Sequence, residues 1–201
     1  VVMRLSLEAF VEDYNKATLD GSHEKVRTLE EGVEIARKLE EYGYDALDVD
    51  TGMYDSFYYA CPPMYMPQGF MIRLAAAAKK EVNIPVIAAG RMQDYKQALE
   101  AVEKGEIDAI GLGRPSLADP ELPNKLYADT PERIRPCLGC NLGCFGRLMA
   151  EGKPASCAVN PQANREIEKA INPGNGKKKV VVVGGGGVGA ETALHLAQGP
   201  D

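Results

Sequence analysis

Four short apolar runs, each followed by a stretch with helical periodicity, constrain this chain more than any other feature. VVMRLSL (1–7), YDALDVD (44–50), IPVIAAG (84–90) and IDAIGLG (107–113) are rich in aliphatic and β-branched residues, as buried strands require. Leu29, Val33, Ile35, Ala36 and Leu39 mark one side of a helix over about 29–41, and further helices are predicted near 70–81 and over 94–104. Strands separated by helices of this length build βαβ units around a parallel sheet. The fold class expected is therefore α/β, and four such units make half of a (β/α)₈ TIM barrel.

The pattern changes after Ala118, where Pro120, Pro123, Pro131 and Pro136 break any long helix. A cysteine-rich segment follows, then a polar linker with Asn172, Pro173, Gly174, Asn175 and Gly176, the best candidate for a domain boundary. Beyond it, VVVVGGGGVGAETALHLA (180–197) reads as strand, glycine turn and helix. Three units are expected: a partial barrel over 1–130, a cysteine segment and linker over 131–172, and the start of a Rossmann-like domain over 173–201.

A net charge of −6 and a pI near 5.1 exclude a nucleic-acid surface, which needs clustered Lys and Arg. No apolar run approaches the roughly 20 residues that cross a bilayer, and no basic-then-apolar leader opens the sequence. A cytoplasmic location is expected. Four of the five cysteines lie between 137 and 157, with Cys61 far upstream. Clustering without a secretory signal favours a metal-type site over disulfides.

CLGCNLGC…C is spaced C-x2-C-x3-C-x12-C through Cys137, Cys140, Cys144 and Cys157. Three thiolates from one short loop plus a fourth from nearby suit an iron–sulfur cluster. Gly139, Gly143 and Gly146 let the backbone bend around an inorganic core. A zinc knot also uses four cysteines, usually as two C-x2-C pairs, which the uneven spacing fits poorly.

GGGGVG (184–189) satisfies G-x-G-x-x-G through Gly184, Gly186 and Gly189. In such a fingerprint these make the tight turn, admit a pyrophosphate and let helix pack on strand. Spacing alone leaves FAD and a nicotinamide nucleotide both open. If IPVIAAG and IDAIGLG are the last two barrel strands, their loops are AAGRM (88–92) and GLGRPS (111–116). Such loops form phosphate sites in many barrels. Gly90, Gly111 and Gly113 would expose N–H groups, while Arg91 and Arg114 would supply charge.

The order of an R-L-S strand, AGR, GLGRPxLADP, CxGCNxxC…C, VNP and VVVVGGG resembles the NADH:flavin oxidoreductases of the 2,4-dienoyl-CoA reductase group. These are old yellow enzyme-type barrels fused to an iron–sulfur loop and a nucleotide-binding module. The resemblance runs over essentially the whole chain. It implies strands five to eight of the barrel, a [4Fe–4S] cluster on the four cysteines, and the first β-α step of an FAD domain. Arg4 would contact FMN, Arg91 with Gly113 and Arg114 would hold its phosphate, and Gly184, Gly186 and Gly189 would hold FAD. Electrons would pass from NAD(P)H to FAD, through the cluster, to FMN and on to substrate. The partners implied are a small molecule with an activated double bond and a second copy in a homo-oligomer.

The loop DVDTGMYDSFYYACPP (48–63) leaves the C-terminal end of a strand, where barrels place substrate contacts. Tyr54, Tyr58 and Tyr59 are candidate hydrogen-bond donors to a substrate carbonyl, with Tyr58 and Tyr59 the candidate catalytic pair and Asp48 and Asp50 orienting them. In its Asp-Val-Asp and Tyr-rich loop the segment resembles the bile-acid and enoate reductases of this group, with Cys61 where a His precedes the Pro-Pro pair. His23 and His195 are expected to be structural. The leading reading is reduction of a C=C bond conjugated to a carbonyl. The alternatives are trimethylamine dehydrogenase-like amine oxidation, with the Tyr-rich loop as an aromatic cage, and a non-catalytic electron-transfer module. Both ends are expected to be cuts within a longer enzyme, so that the 201 residues alone would be inactive and poorly folded.

Overall fold

The computed structural model describes residues 1–11, 26–168 and 178–198. The 172–176 linker and the His23 turn lie outside the described residues.

Strands β1 (Val2–Ser6), β2 (Ala46–Asp50), β3 (Val86–Ala89) and β4 (Ala109–Gly111) form one sheet in the order β1-β2-β3-β4. All pairings are parallel. Helix α1 (Leu29–Glu41) connects the first pair, α2 (Phe57–Ala60) and α3 (Ile72–Lys79) the second, and α4 (Tyr95–Glu103) the third. Unbroken sequential order is the winding of a barrel wall; a doubly wound sheet reverses direction at its middle.

The two faces of the sheet differ in kind. Leu5, Leu47, Val49, Val86 and Ala88 are buried in one core with Ala36 of α1 and Leu74, Ala75 and Ala78 of α3. The alternate positions carry Arg4, Asp48, Asp50 and Ala89, which strand periodicity turns to the other face. The register sets Arg4 beside Asp48 and Ser6 beside Asp50. One face therefore buries helices, and the other, the inner face of a barrel, is free to carry chemistry.

Local rules explain the helix starts. Thr28 caps α1 in a reciprocal pair with Glu31, and the Asp94 carboxylate caps α4 through the N–H groups of Lys96 and Gln97. Gly32 is required because a Cβ there would collide with the Leu7 carbonyl oxygen. Prolines shape the next stretch as expected. Pro115, Pro123 and Pro131 sit in the first turns of α5 (Arg114–Ala118), α6 (Leu122–Tyr127) and a 3₁₀ turn (Pro131–Arg133).

The cysteine segment runs without helix or strand to Asn141, then tightens into a π-turn (Leu142–Gly146) and α7 (Arg147–Glu151). The Ser156 N–H returns to the Gly143 carbonyl at 2.7 Å, which brings Cys157 back beside Cys144.

The strand expected over 180–183 does not form. Val181 and Val183 are 77% and 94% exposed, and no strand among the described residues pairs with them. β-branched composition favours extension, but a strand is completed only by a ladder partner. The helix of that unit is present as α8 (Gly187–Gln198).

Candidate functional site

The C-terminal ends of the strands open into a cavity of about 500 Å³ whose wall includes Arg4, Asp48, Gly90, Arg91, Gly113 and Arg114. The structure thus brings together, from three strands, the residues expected to hold FMN. Gly90 turns the chain at φ 130°, and a Cβ there would stand 2.7 Å from Met71 Cγ. Only glycine fits a backbone that must turn this way so close to its neighbour.

Arg91 and Arg114 face the cavity without a carboxylate. Arg91 donates through Nε to the Met66 carbonyl and through Nη2 to the Met64 carbonyl, both at 2.7 Å. Arg114 donates through Nη1 to the Pro62 carbonyl at 2.8 Å and to Asn141 Oδ1 at 2.5 Å. Neither forms an ion pair among the described residues. Burial and the nearby Arg114 charge both lower the Arg91 pKa, with Cys137 pulling the other way. Two guanidiniums without carboxylate partners on one cavity wall have the charge to hold an anion.

Arg4 is different. It pairs with Asp48 and with Asp50, the latter at 2.9 Å. Burial raises the Asp50 carboxyl, with Arg4 opposing and Asp48 reinforcing the rise. The two aspartates expected to orient tyrosines hold this arginine instead, because the parallel register sets Asp48 directly beside it and Asp50 at the next same-face position of β2. Hydrogen-bonding capacity remains on the wall: Asp48 Oδ1 and both amide atoms of Gln93 are buried without a partner. A buried amide left unpaired is costly. Charge, size and free hydrogen-bonding groups together fit a phosphorylated, polar-edged cofactor such as FMN. Sequence reasoning missed Gln93, which follows the Gly-Arg turn with nothing to distinguish it.

Tyr58 and Tyr59 do not line this cavity. They stand on a second one, with Glu8, Phe10, Arg27 and Asp55. Tyr59 stacks on Phe10 with centroids 4.3 Å apart, and its hydrogen bond to Tyr58 raises the Tyr58 pKa. The reason is helical: in α2 successive residues turn about 100°, so Phe57, Ala60 and Cys61 face the first cavity while Tyr58 and Tyr59 face away. Tyr54 is solvent-exposed.

Cys137, Cys140, Cys144 and Cys157 line one small cavity, and Arg114 belongs to its wall as well. The Gly139 N–H points at Cys137 Sγ at 3.4 Å. Gly139 itself is left-handed (φ 69°), and a Cβ there would collide with Arg91 Nη1. Among the described residues, no three His, Cys, Asp or Glu side chains close on a single point as one bound ion demands. The four thiols thus share one cavity, the set expected from the sequence to hold an iron–sulfur cluster. Cys61 lies apart on the first cavity. Burial pushes its thiol up, Arg114 pulls it down, and Cys144 and Cys137 push it up again.

The glycine turn is tight. Gly184 has φ 109°, and a Cβ on Gly189 would collide with the Gly184 carbonyl. Gly186 offers no such constraint, having open space around it. α8 is tied to the cysteine segment through Glu191, which accepts from Arg135 Nη2 at 2.6 Å and meets His195 Nε2 at 3.1 Å. His195 is thus structural in its placement.

The sequence matches the NADH:flavin oxidoreductase / NADH oxidase family over residues 17–133. The chain belongs to this family. Within it, the chain is 44% identical over 199 residues to the cinnamate reductase of Clostridium sporogenes, covering 98% of this chain and 30% of that protein. It is 39% identical to the NADH oxidase of Thermoanaerobacter brockii, covering 98% of this chain and 31% of that protein. Among solved structures, a 2-naphthoyl-CoA reductase in complex with 2-naphthoyl-CoA superposes with a TM-score of 0.84 at 34% identity, covering 98% of this chain and 28% of that one. The chain therefore spans about a third of the length of its curated relatives. Its four-stranded parallel sheet, wound in sequential order, superposes on part of that flavin-oxidoreductase-family structure. No helix among the described residues is long and apolar enough to cross a membrane.

Proposed function

We propose that this chain carries the FMN site and the iron–sulfur ligands of an NAD(P)H-dependent reductase of C=C bonds conjugated to a carbonyl. One observation carries the reading: two arginines without carboxylate partners share a cavity with Arg4 at the strand ends, and Arg114 walls both that cavity and the four-cysteine one. Cinnamate and an aryl-CoA thioester, the substrates named for two relatives, are both conjugated carbonyl compounds.

When bound, FMN would supply hydride chemistry suited to an electron-poor alkene, and a [4Fe–4S] cluster and FAD would supply electron transfer from NAD(P)H. This chain's own residues do the rest. Arg91 and Arg114 bind the phosphate, and the Gly90 turn lets the cofactor approach the backbone. Arg4, clamped by Asp48 and Asp50, presents a fixed positive charge to the polar edge of the ring system. Gln93 offers its unpaired amide to the same edge. Cys137, Cys140, Cys144 and Cys157 hold the cluster beyond Arg114. The proton for the substrate comes from a group on the first cavity, which Tyr58 and Tyr59 do not line, and the Cys61 thiol is the acid on its wall. Gly184 and Gly189 shape the turn that would receive FAD pyrophosphate.

The test is NADH consumption by the intact enzyme under anaerobic conditions. Cinnamate-type acids or their thioesters should support it and methylated amines should not. Oxidation of methylated amines with an added electron acceptor and no NADH, in an enzyme that leaves the alkenes untouched, would overturn the reading.

A further inference from the structure

Asn141 sits between Cys140 and Cys144 in a left-handed backbone conformation (φ 57°), which asparagine tolerates better than other side chains do. Both ends of its amide are engaged. Nδ2 donates to the Cys61 carbonyl at 2.9 Å, Oδ1 accepts Arg114 Nη1 at 2.5 Å, and the Cys61 thiol points at the same oxygen at 3.7 Å. Its backbone carbonyl accepts the Gly146 N–H at 2.7 Å, closing the π-turn. One residue of the cysteine loop thereby grips both the arginine that walls the two cavities and the loop that carries Cys61.

The chemistry of that grip is specific. Both recorded hydrogen bonds of Arg114 leave from Nη1, so among the described residues Nη2 and Nε remain for an anion. Both acceptors, the Pro62 carbonyl and the Asn141 amide, are neutral. They fix the direction of the guanidinium without cancelling its charge. A carboxylate at position 141 would accept the same bond more strongly and would neutralise the group that must hold a phosphate.

We propose that Asn141 is a positioning residue that aims Arg114 at the cofactor phosphate while leaving its charge free, and so ties the flavin site to the cysteine loop. This rests on the reading that the first cavity binds FMN. The experiment titrates the flavin-depleted intact enzyme with FMN and, separately, with riboflavin, which lacks the phosphate; iron content is measured alongside. Asn141→Gly keeps the left-handed backbone and removes the side chain, and should weaken FMN about fivefold. Asn141→Asp is the closer isostere, yet it should weaken FMN more, by about 30-fold. Riboflavin affinity and iron content should match wild type in both variants. If Asn141→Asp binds FMN as well as wild type or better than Asn141→Gly, the inference is overturned. Equal losses of FMN and riboflavin would overturn it too, as a purely structural role would produce them. Wild-type enzyme that takes up no FMN would instead sink the underlying functional reading.

Discussion

Asp119 holds the backbone N–H of Arg135 at 2.7 Å, two residues before the first cysteine. The same carboxylate accepts the Lys125 ammonium at 2.6 Å and the Glu121 N–H at 3.1 Å, and the residue is buried. The Asp of the GLGRPSLADP motif therefore pins the entry to the cysteine loop against the end of the barrel wall.

A stability prediction follows from its titration. Burial raises the Asp119 pKa, but Lys125 and the Arg135 and Glu121 N–H groups outweigh it and hold the carboxyl below its ordinary value of 3.8. A depressed folded-state pKa means the stabilisation is present above the unfolded value and is lost as pH falls through the folded one. Asp119→Asn should cost about 2 kcal/mol at pH 7, read as roughly 30-fold faster hydrogen exchange at the Arg135 amide. The difference should vanish at pH values below the folded pKa. An unchanged exchange rate at pH 7 would contradict the role.

Arg114→Ala should weaken FMN binding about tenfold or more, since a charge-assisted contact to phosphate contributes on the order of 1.5–3 kcal/mol. FAD content should stay the same. Parallel loss of both flavins would indicate general unfolding.

Gly139→Ala should damage both cavities at once. The residue is left-handed, and a Cβ would displace Arg91 Nη1. FMN affinity and iron content should fall together, whereas loss of iron alone would show that Arg91 accommodates the methyl group.

Cys61 and Cys140 should separate by readout. Cys140→Ala should abolish iron binding. Cys61→Ala should leave iron unchanged and slow alkene reduction, because its thiol faces the first cavity. Iron loss in Cys61→Ala would place it among the ligands, and full activity would remove it as the acid.

Much of this was legible in the residues. IPVIAAG and IDAIGLG announce strands because an apolar run ends at a glycine, and in parallel barrels the chemistry gathers at that end. That reading puts Arg91 and Arg114 at the strand ends, and both line one cavity. The tyrosines were less legible: a one-turn helix rotates neighbours apart, and no periodicity is readable over the four residues of α2. Residues 180–183 carry a strand's composition, but composition does not supply the partner strand. Asn141 gives a faint signal, a residue tolerant of left-handed backbone inside a glycine-rich cysteine loop; its hold on Arg114 depends on contacts 27 residues apart in sequence. The Gln93 amide carries no sequence signal at all.

In the proposed reading the flavin cavity and the cluster-binding cavity share Arg114 as one wall. Its most direct test is the cofactor composition of the anaerobically purified intact enzyme. About one FMN and, from four thiolate ligands, about four irons per chain are expected. Stoichiometric zinc in place of iron, or an enzyme that retains no FMN, would contradict it.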